Sequence, residues 1–378
     1  MLQDFELKQL IEPLLSWFVG HARVLPWREE PTPYRVWVSE IMLQQTRVEA
    51  VKPYFERFTK ALPDVQALAE CPEDELLKLW EGLGYYNRVR NMQKAASQVM
   101  EDYGGELPAD YNELLKLKGI GHYTAGAIAS IAYGKSVPAV DGNVLRVITR
   151  VTADDTDIMK QSFRGQMEEA LLLAMKDVAI SPELRKELPR ENMPGALNQA
   201  LMELGATVCI PNGAPLCEEC PWNQMCLAKI EGRIAEIPVK SKAKARRIEE
   251  RTVLILRDGD KVAIRKRPKK GLLAGLYELP NLEGSLTSEE VLAKVKEMQY
   301  APIRIQELTE AKHIFSHIEW HMKGYAILVE EAGLSEEVED DLVFVDAEDA
   351  SARYAIPAAF AAYAKYMNIK LGNERFEE

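Results

Sequence analysis

Two carboxylates in this chain stand in contrasting local settings. Asp141 lies in Val140-Asp141-Gly142-Asn143, directly ahead of an apolar-periodic run from Val144 to Val151, so it falls at a helix start. Amide donors and the helix dipole favour its ionised form there, although an isolated Asp-Gly-Asn reads first as a plain helix cap. Glu40 has Val36, Trp37 and Leu43 as its i−4, i−3 and i+3 neighbours on a helix beginning at about Tyr34, which places a carboxyl group on an apolar stripe. Desolvation lets such a group keep its proton towards neutral pH, unless the charge turns to solvent or pairs with Arg28 or Arg47. Environments that push two titratable groups apart in this way separate an acid from an anion. A third constellation is Cys209, Cys217, Cys220 and Cys226, spaced C-x7-C-x2-C-x5-C with Pro221 after the third. Four thiolates in one short loop make a closed site, for which zinc and a four-iron, four-sulfur (4Fe-4S) cluster are both chemically open. Cys71 lies apart and reads as an ordinary apolar residue.

The element that positions Asp141 is a hairpin. A helical run ending at Leu117 meets Gly119-Ile120-Gly121, and a second run of small and apolar residues starts at about His122 and ends by Gly134 and Pro138. Glycines around one apolar residue allow a sharp turn with positive φ, so that amide N–H groups point outward at the second helix's N-terminus, a seat for phosphate. Between the two acids, Trp80-Glu81-Gly82-Leu83-Gly84-Tyr85-Tyr86-Asn87-Arg88 closes one helix and opens another. An aromatic pair at a glycine turn fits a loop that fills the hole left by a base removed from the stack, or a turn whose aromatics, Tyr86 above all, pack inward.

A phosphate-gripping hairpin followed by an anionic helix start resembles the helix-hairpin-helix DNA glycosylase superfamily. Where its endonuclease III branch carries a lysine, second after the hairpin's last glycine, this chain has Tyr123, and a phenol cannot form a Schiff base. The chain is similar here to the MutY-type adenine DNA glycosylases, as is the run Trp37-Val38-Ser39-Glu40-Ile41-Met42-Leu43-Gln44-Gln45-Thr46. The resemblance implies that Glu40 is the catalytic acid, that Asp141 stabilises the sugar cation, that Asn143 hydrogen-bonds within this pair and that Tyr123 positions the nucleotide. It implies an adenine pocket at Trp27 and Arg28, and DNA contacts from Gly119, Gly121, Gln45 and Tyr85, the last as the wedge with Leu83 beside it. The cysteines would hold a 4Fe-4S cluster, with zinc as the alternative; the family usually has six residues in the first gap where this chain has seven. Lys118 stands where the hairpin usually carries proline, and would meet a phosphate.

After the cysteines the pattern changes. A basic stretch from about Ile237 to Arg251 reads as a linker, and Thr252–Leu256, Lys261–Ile264 and Gly324–Val329 read as strands, with a helix around Ser288 to Met298. Arg265 to Pro280 resembles Nudix-like domains, but the acidic metal-binding helix of Nudix hydrolases is missing from Ser285 to Met298. The resemblance makes Phe315-Ser316-His317 the loop that reads 8-oxoguanine opposite adenine; by themselves Ser316 and His317 read first as solvated turn residues.

The expected fold is a mainly α helix-hairpin-helix glycosylase region over residues 1–236, with the iron–sulfur loop at 209–226, a linker at 237–251 and an α+β Nudix-like domain over 252–368. The implied activity is that of a monofunctional adenine DNA glycosylase of base excision repair, acting on adenine opposite 8-oxoguanine or guanine in duplex DNA. The rivals are a bifunctional glycosylase/lyase working through Lys118 and a nucleotide-pool hydrolase working through the C-terminal domain. The net charge of −12 opposes DNA binding in sum, but acid concentrates near the C-terminus (Glu330, Glu331, Glu336, Glu337, Glu339, Asp340, Asp341) and Lys240 to Arg251 is basic, so a local positive face on an acidic body is expected. With no bilayer-length apolar run and no leader-like pattern at residues 1–20, the expectation is a monomer in the cytoplasm, associated with the nucleoid.

Overall fold

Every regular element described between residues 5 and 241 is a helix, whereas the region after residue 246 is built on a sheet. The computed structural model describes the whole chain except residues 1–4, 177, 179, 189–191, 242–244, 332–341 and 373–378, so the acidic positions Glu336 to Asp341 lie outside the described residues. No described helix is long and apolar enough to cross a membrane. Contacts divide the chain into two units, Met1–Glu70 with Asn91–Lys242, and Cys71–Arg90 with Ala243–Glu378.

The core of the first unit gathers Leu14 and Leu15 from α1 (Ile11–His21), Val144 to Ile148 from α8 (Gly142–Val151), Leu197 to Leu204 from α10 (Met193–Thr207) and Trp222 from the cysteine loop. Trp222 Nε1 donates to Leu10 O at 2.9 Å, which ties that loop to the N-terminal helices. In sequence order between these run α2 (Pro33–Leu43), α3 (Val48–Ala61), α4 (Glu73–Leu79, assigned to the second unit), α5 (Asn87–Tyr103), α6 (Tyr111–Lys116), α7 (His122–Ala127) and α9 (Gln161–Ala174). Proline opens α2 at its first turn and the Thr32 side chain caps it by accepting from Arg35 N at 3.3 Å. Its residues from Val36 to Met42 are all buried, so a carboxyl group on this helix cannot escape to water.

Small residues let the site's elements approach. α7 runs on as a π turn, Ile128–Ala132, and a Cβ on Gly126 would stand 2.2 Å from Pro138 O. Asn198, buried on α10, donates to Ser130 Oγ and Val137 O, both at 2.8 Å, and accepts from Ala139 N at 3.0 Å. These bonds fix the segment that delivers Asp141.

In the second unit the described strands form one mixed sheet in the order β3-β2-β1-β6-β5: β1 (Arg247–Asp258), β2 (Lys261–Lys266), β3 (Tyr277–Glu278), β5 (Tyr300–Ile314) and β6 (Ile318–Glu331), with β4 (Asn281–Glu283) on β1 and β7 (Leu342–Asp346) on β2. Of these pairings only β1 with β6 is parallel. Val253 and Ile255 face one cluster and Leu254 and Leu256 the other, against Val291 and Val295 of α11 (Ser288–Glu297), which explains the unbroken apolar run. The expected linker at 237–251 is too long: Ile237 is buried in the first unit, Val239 O accepts from Ile158 N at 3.1 Å, and β1 already pairs with β6 from Arg247. Its charged alternation, Arg247, Glu249, Arg251, hid the strand's first half from an apolar reading.

Replacing Gly126 by Ala is expected to lower stability by about 1–3 kcal/mol, because a methyl group meets a carbonyl of the backbone and no rotamer relieves it. Gly121→Ala, where nothing lies within 4 Å, should lower the denaturant midpoint less, by only the loss of a glycine N-cap, about 0.5–1 kcal/mol.

Candidate active site

Glu40, Tyr123, Asp141 and Asn143 come together in the first unit. The Tyr123 hydroxyl donates to Glu40 Oε2 and lies 3.2 Å from Met202 Sδ. Glu40 is 5 % exposed and its pKa is pushed up to about 7, chiefly by burial and further by the negative charge of Asp141, against the opposing pull of Tyr123 and Arg28. Asp141 caps α8: Oδ1 accepts from Val144 N at 2.8 Å and Oδ2 from Asn143 Nδ2 at 2.7 Å. Its pKa is also raised by burial, which the sequence reading did not foresee, while the Val144 amide, Asn143 and Arg146 hold it back. The contrast survives in the donors: two hydrogen bonds and a neighbouring guanidinium favour the Asp141 anion, whereas one phenol faces Glu40.

Arg28 pairs with neither acid. Its Nη2 donates to Glu203 Oε2 at 2.9 Å, Nε to Gln199 Oε1 at 3.0 Å and Nη1 to Arg23 O at 2.9 Å. Arg23 adds two side-chain bonds to the same carboxylate, at 2.6 and 3.0 Å. Burial works to raise the pKa of Glu203, but the two arginines outweigh it and the pKa is lowered. Trp27 is buried edge-on to Phe55, centroids 5.5 Å apart. Glu203, Gln199, Met202 and Arg146 were missed as site residues. The signal for Glu203 was the one that exposed Glu40, a carboxylate among Leu201, Met202 and Leu204.

Arg146 joins Asp141 to the cysteine loop. Nη2 donates to Asn143 Oδ1 at 2.8 Å and Gly205 O at 2.7 Å, and Nε to Cys209 O at 2.8 Å. Gly205 permits this, since a Cβ there would lie 2.6 Å from Asn143 Cβ. The four cysteines line one cavity of about 340 Å³, open mouth included, together with Arg150, Asn223 and Lys229. Arg150 Nη1 lies 3.4 Å from Cys209 Sγ and donates to Ile210 O at 3.0 Å. Burial pushes the Cys220 thiol up to about 12. Among the described residues no three His, Cys, Asp or Glu side chains are grouped so as to hold one metal ion.

In the hairpin only Gly119 takes a positive φ, 79°, and a Cβ there would meet Asn91 Cβ at 2.7 Å; Gly121, with φ −97°, caps α7 without a side chain. The Lys118 amide donates to Gln98 Oε1 at 2.8 Å and the Ile120 amide to Leu117 O at 3.2 Å, so an outside anion would find the first amides of α7. Gln45, just past α2, is exposed with φ 60°.

The remaining candidates lie in the second unit. Tyr85 is 47 % exposed with φ 48°, on a turn made by Gly82 and Gly84. Leu83 is buried, and Tyr86 packs inward. Phe315, Ser316 and His317 form the turn between β5 and β6. Phe315 packs edge-on to Trp320 at 5.0 Å, while Ser316 and His317 are exposed, and Ser316 Oγ donates to the Tyr85 hydroxyl at 3.3 Å.

Two family models match the chain, "HhH-GPD superfamily base excision DNA repair protein" over residues 38–171 and "NUDIX domain" over residues 251–366. The adenine DNA glycosylase of Mus musculus is 35 % identical over 381 residues, spanning 85 % of this chain and 71 % of that protein. That of Buchnera aphidicola subsp. Schizaphis graminum is 32 % identical over 311 residues, spanning 82 % and 84 %. Among solved structures, a thermostable thymine-DNA glycosylase superposes with a TM-score of 0.51 at 26 % identity, over 60 % of this chain and 97 % of that one.

A carboxyl group whose pKa rises on folding from 4.5 to about 7 destabilises the fold when ionised; the penalty is absent below the lower value, grows between the two and is constant above. Glu40→Gln is therefore expected to gain stability over the parent as pH rises from 5 to 8, by up to about 3 kcal/mol. Urea unfolding at both pH values checks this, and an unchanged difference between them would contradict it.

Proposed function

The chain belongs to the adenine DNA glycosylase family, and from that premise we propose that it is a monofunctional enzyme releasing adenine paired with 8-oxoguanine, and less readily with guanine, from duplex DNA. The observation that carries this reading is a buried carboxyl with a pKa near neutrality beside a hydrogen-bonded carboxylate. Adenine is a poor leaving group until protonated, so Glu40 delivers its proton to N7 as the glycosidic bond breaks. Asp141 stabilises the cationic sugar, Asn143 and Tyr123 hold the two acids, and water completes hydrolysis. Tyr123 offers no amine for a Schiff base, which supports hydrolysis without strand cleavage. Arg28, with its guanidinium fixed by Glu203 and Gln199, and Trp27 line the adenine pocket.

In this reading the α7 amides beyond Gly119 and Gly121 take a phosphate, Gln45 and Tyr85 fill the vacated stack, and Phe315, Ser316 and His317 test the opposite base; the extra N7–H of 8-oxoguanine is what a hydroxyl or imidazole can detect. Cys209, Cys217, Cys220 and Cys226 fit a 4Fe-4S cluster better than zinc. A single zinc draws its thiolates to about 2.3 Å, and these four line a cavity without being grouped for one ion. When bound, the cluster supplies a cross-link that shapes the loop. The protein acts as a monomer on DNA in the nucleoid.

Glu40→Gln should abolish adenine release from A:8-oxoguanine duplexes while leaving their binding intact; parental turnover would refute the acid role. Excision by the parent should fall as pH rises through about 7, where Glu40 loses its proton. Borohydride is expected to trap no enzyme–DNA adduct, and an adduct lost in Lys118→Ala would favour the lyase instead. Cys220→Ser should lower the iron content below about four per chain and bleach the visible absorption.

A further inference from the structure

Residues 71–90 belong to the second unit, and a buried ion pair bonds them to its C-terminal segment. Lys78 Nζ donates to both oxygens of Glu81, at 3.1 and 3.0 Å, and to Tyr354 O at 2.8 Å. Glu81 in turn accepts from Ile356 N at 2.8 Å and Gly372 N at 3.2 Å. The two residues are 7 % and 0 % exposed. Surface contacts flank the pair: Lys266 with Asp74 at 2.7 Å, and Arg90 with Glu73 at 2.7 Å. A fully buried pair gives little net stability over an apolar one of the same volume, but it tolerates only one geometry, because every charge must find its partners. The tyrosine turn starts at the residue after Glu81. Arg88 braces that turn from below, donating to Leu83 O at 3.0 Å and Gly84 O at 3.2 Å and stacking on Trp80 and Tyr85 at 5.4 and 5.5 Å. At its tip Tyr85 meets Ser316.

We propose that the Lys78–Glu81 pair mounts Tyr85 on the base-reading unit, so that the side chain entering the duplex and the loop testing the opposite base keep a fixed spacing. Glu81 is then a positioning residue that sets mismatch preference. This rests on the roles proposed above for Tyr85 and residues 315–317. The pair is laid out for clasping rather than catalysis, since each acceptor of Glu81 and the third donor direction of Lys78 is spent on the backbone of residues 354–372.

The test uses the full chain with Glu81→Ala, and with Lys78→Met and Glu81→Gln combined, which removes both charges and leaves one side-chain acceptor. Without DNA, hydrogen exchange of amides 82–86 should speed up roughly tenfold or more in Glu81→Ala and less in the double variant. With DNA, the preference in Kd for A:8-oxoguanine over A:G should fall by about tenfold, the size of one lost base–aromatic stack, while single-turnover excision from A:G at saturating enzyme stays within about twofold. Parental exchange in Glu81→Ala, or a loosened turn with undiminished preference, overturns the proposal. Should Glu81→Ala fail to fold, the double variant decides, with intermediate exchange and preference expected and parental values overturning it. A parent protein without any mismatch preference would sink the reading of residues 315–317, while the exchange measurement still decides the clasp.

Discussion

Withdrawal of Glu40 from water is the constraint on which the site depends. A carboxyl group on a helix normally bends its stem towards solvent, and here every residue from Val36 to Met42 is covered, so it has no such exit. The covering elements approach closely enough only because glycine stands where another side chain would collide: Gly126 against Pro138, Gly195 against Ile131 and Gly205 against Asn143. Desolvation then carries the pKa of Glu40 to about 7.

Burial alone would not suffice if a cation were free to neutralise the group. Arg28 is near enough to lower the Glu40 pKa, yet all of its hydrogen bonds in the site go to Glu203, Gln199 and the Arg23 carbonyl. Glu203 acts as a decoy anion: by binding two guanidinium groups it keeps positive charge out of contact with Glu40 and leaves a phenol, a neutral donor, as that carboxyl's partner. The charges thus separate into an arginine–glutamate cluster, two guanidiniums on one carboxylate, and a carboxyl group whose pKa is raised towards neutrality, as expected where burying an unpaired ion is costly.

How much of this could be read from residues alone follows the range of the interactions. The helix start at Asp141, the burial of Glu40 and the hairpin glycine at 119 follow from neighbours within a turn or two, and periodicity exposes them. Glu203 and Arg146 act through partners 175 and 63 residues away, for which a single sequence holds no register. The membership of residues 71–90 in the second unit was invisible for a sharper reason: the partners of Lys78 and Glu81 there are backbone groups, which carry no sequence signature. The first strand was masked by charges that alternate as polar loop residues also do.

The orientation of Asn143 shows how such remote contacts settle local chemistry. An amide side chain can present either its oxygen or its nitrogen to Asp141, and its sequence position is silent on the choice. A guanidinium can only donate, so with Arg146 Nη2 at 2.8 Å the Asn143 oxygen must face Arg146, and the amide nitrogen must then face Asp141 Oδ2 at 2.7 Å. Arg146 is itself aimed by Gly205 O and Cys209 O, one at the end of α10 and the other at the first cysteine of the loop. A reversed amide would set two donors face to face at Arg146 and two acceptors face to face at Asp141, so the cysteine loop, through one arginine, dictates that the second acid is met by a donor, which favours its anion.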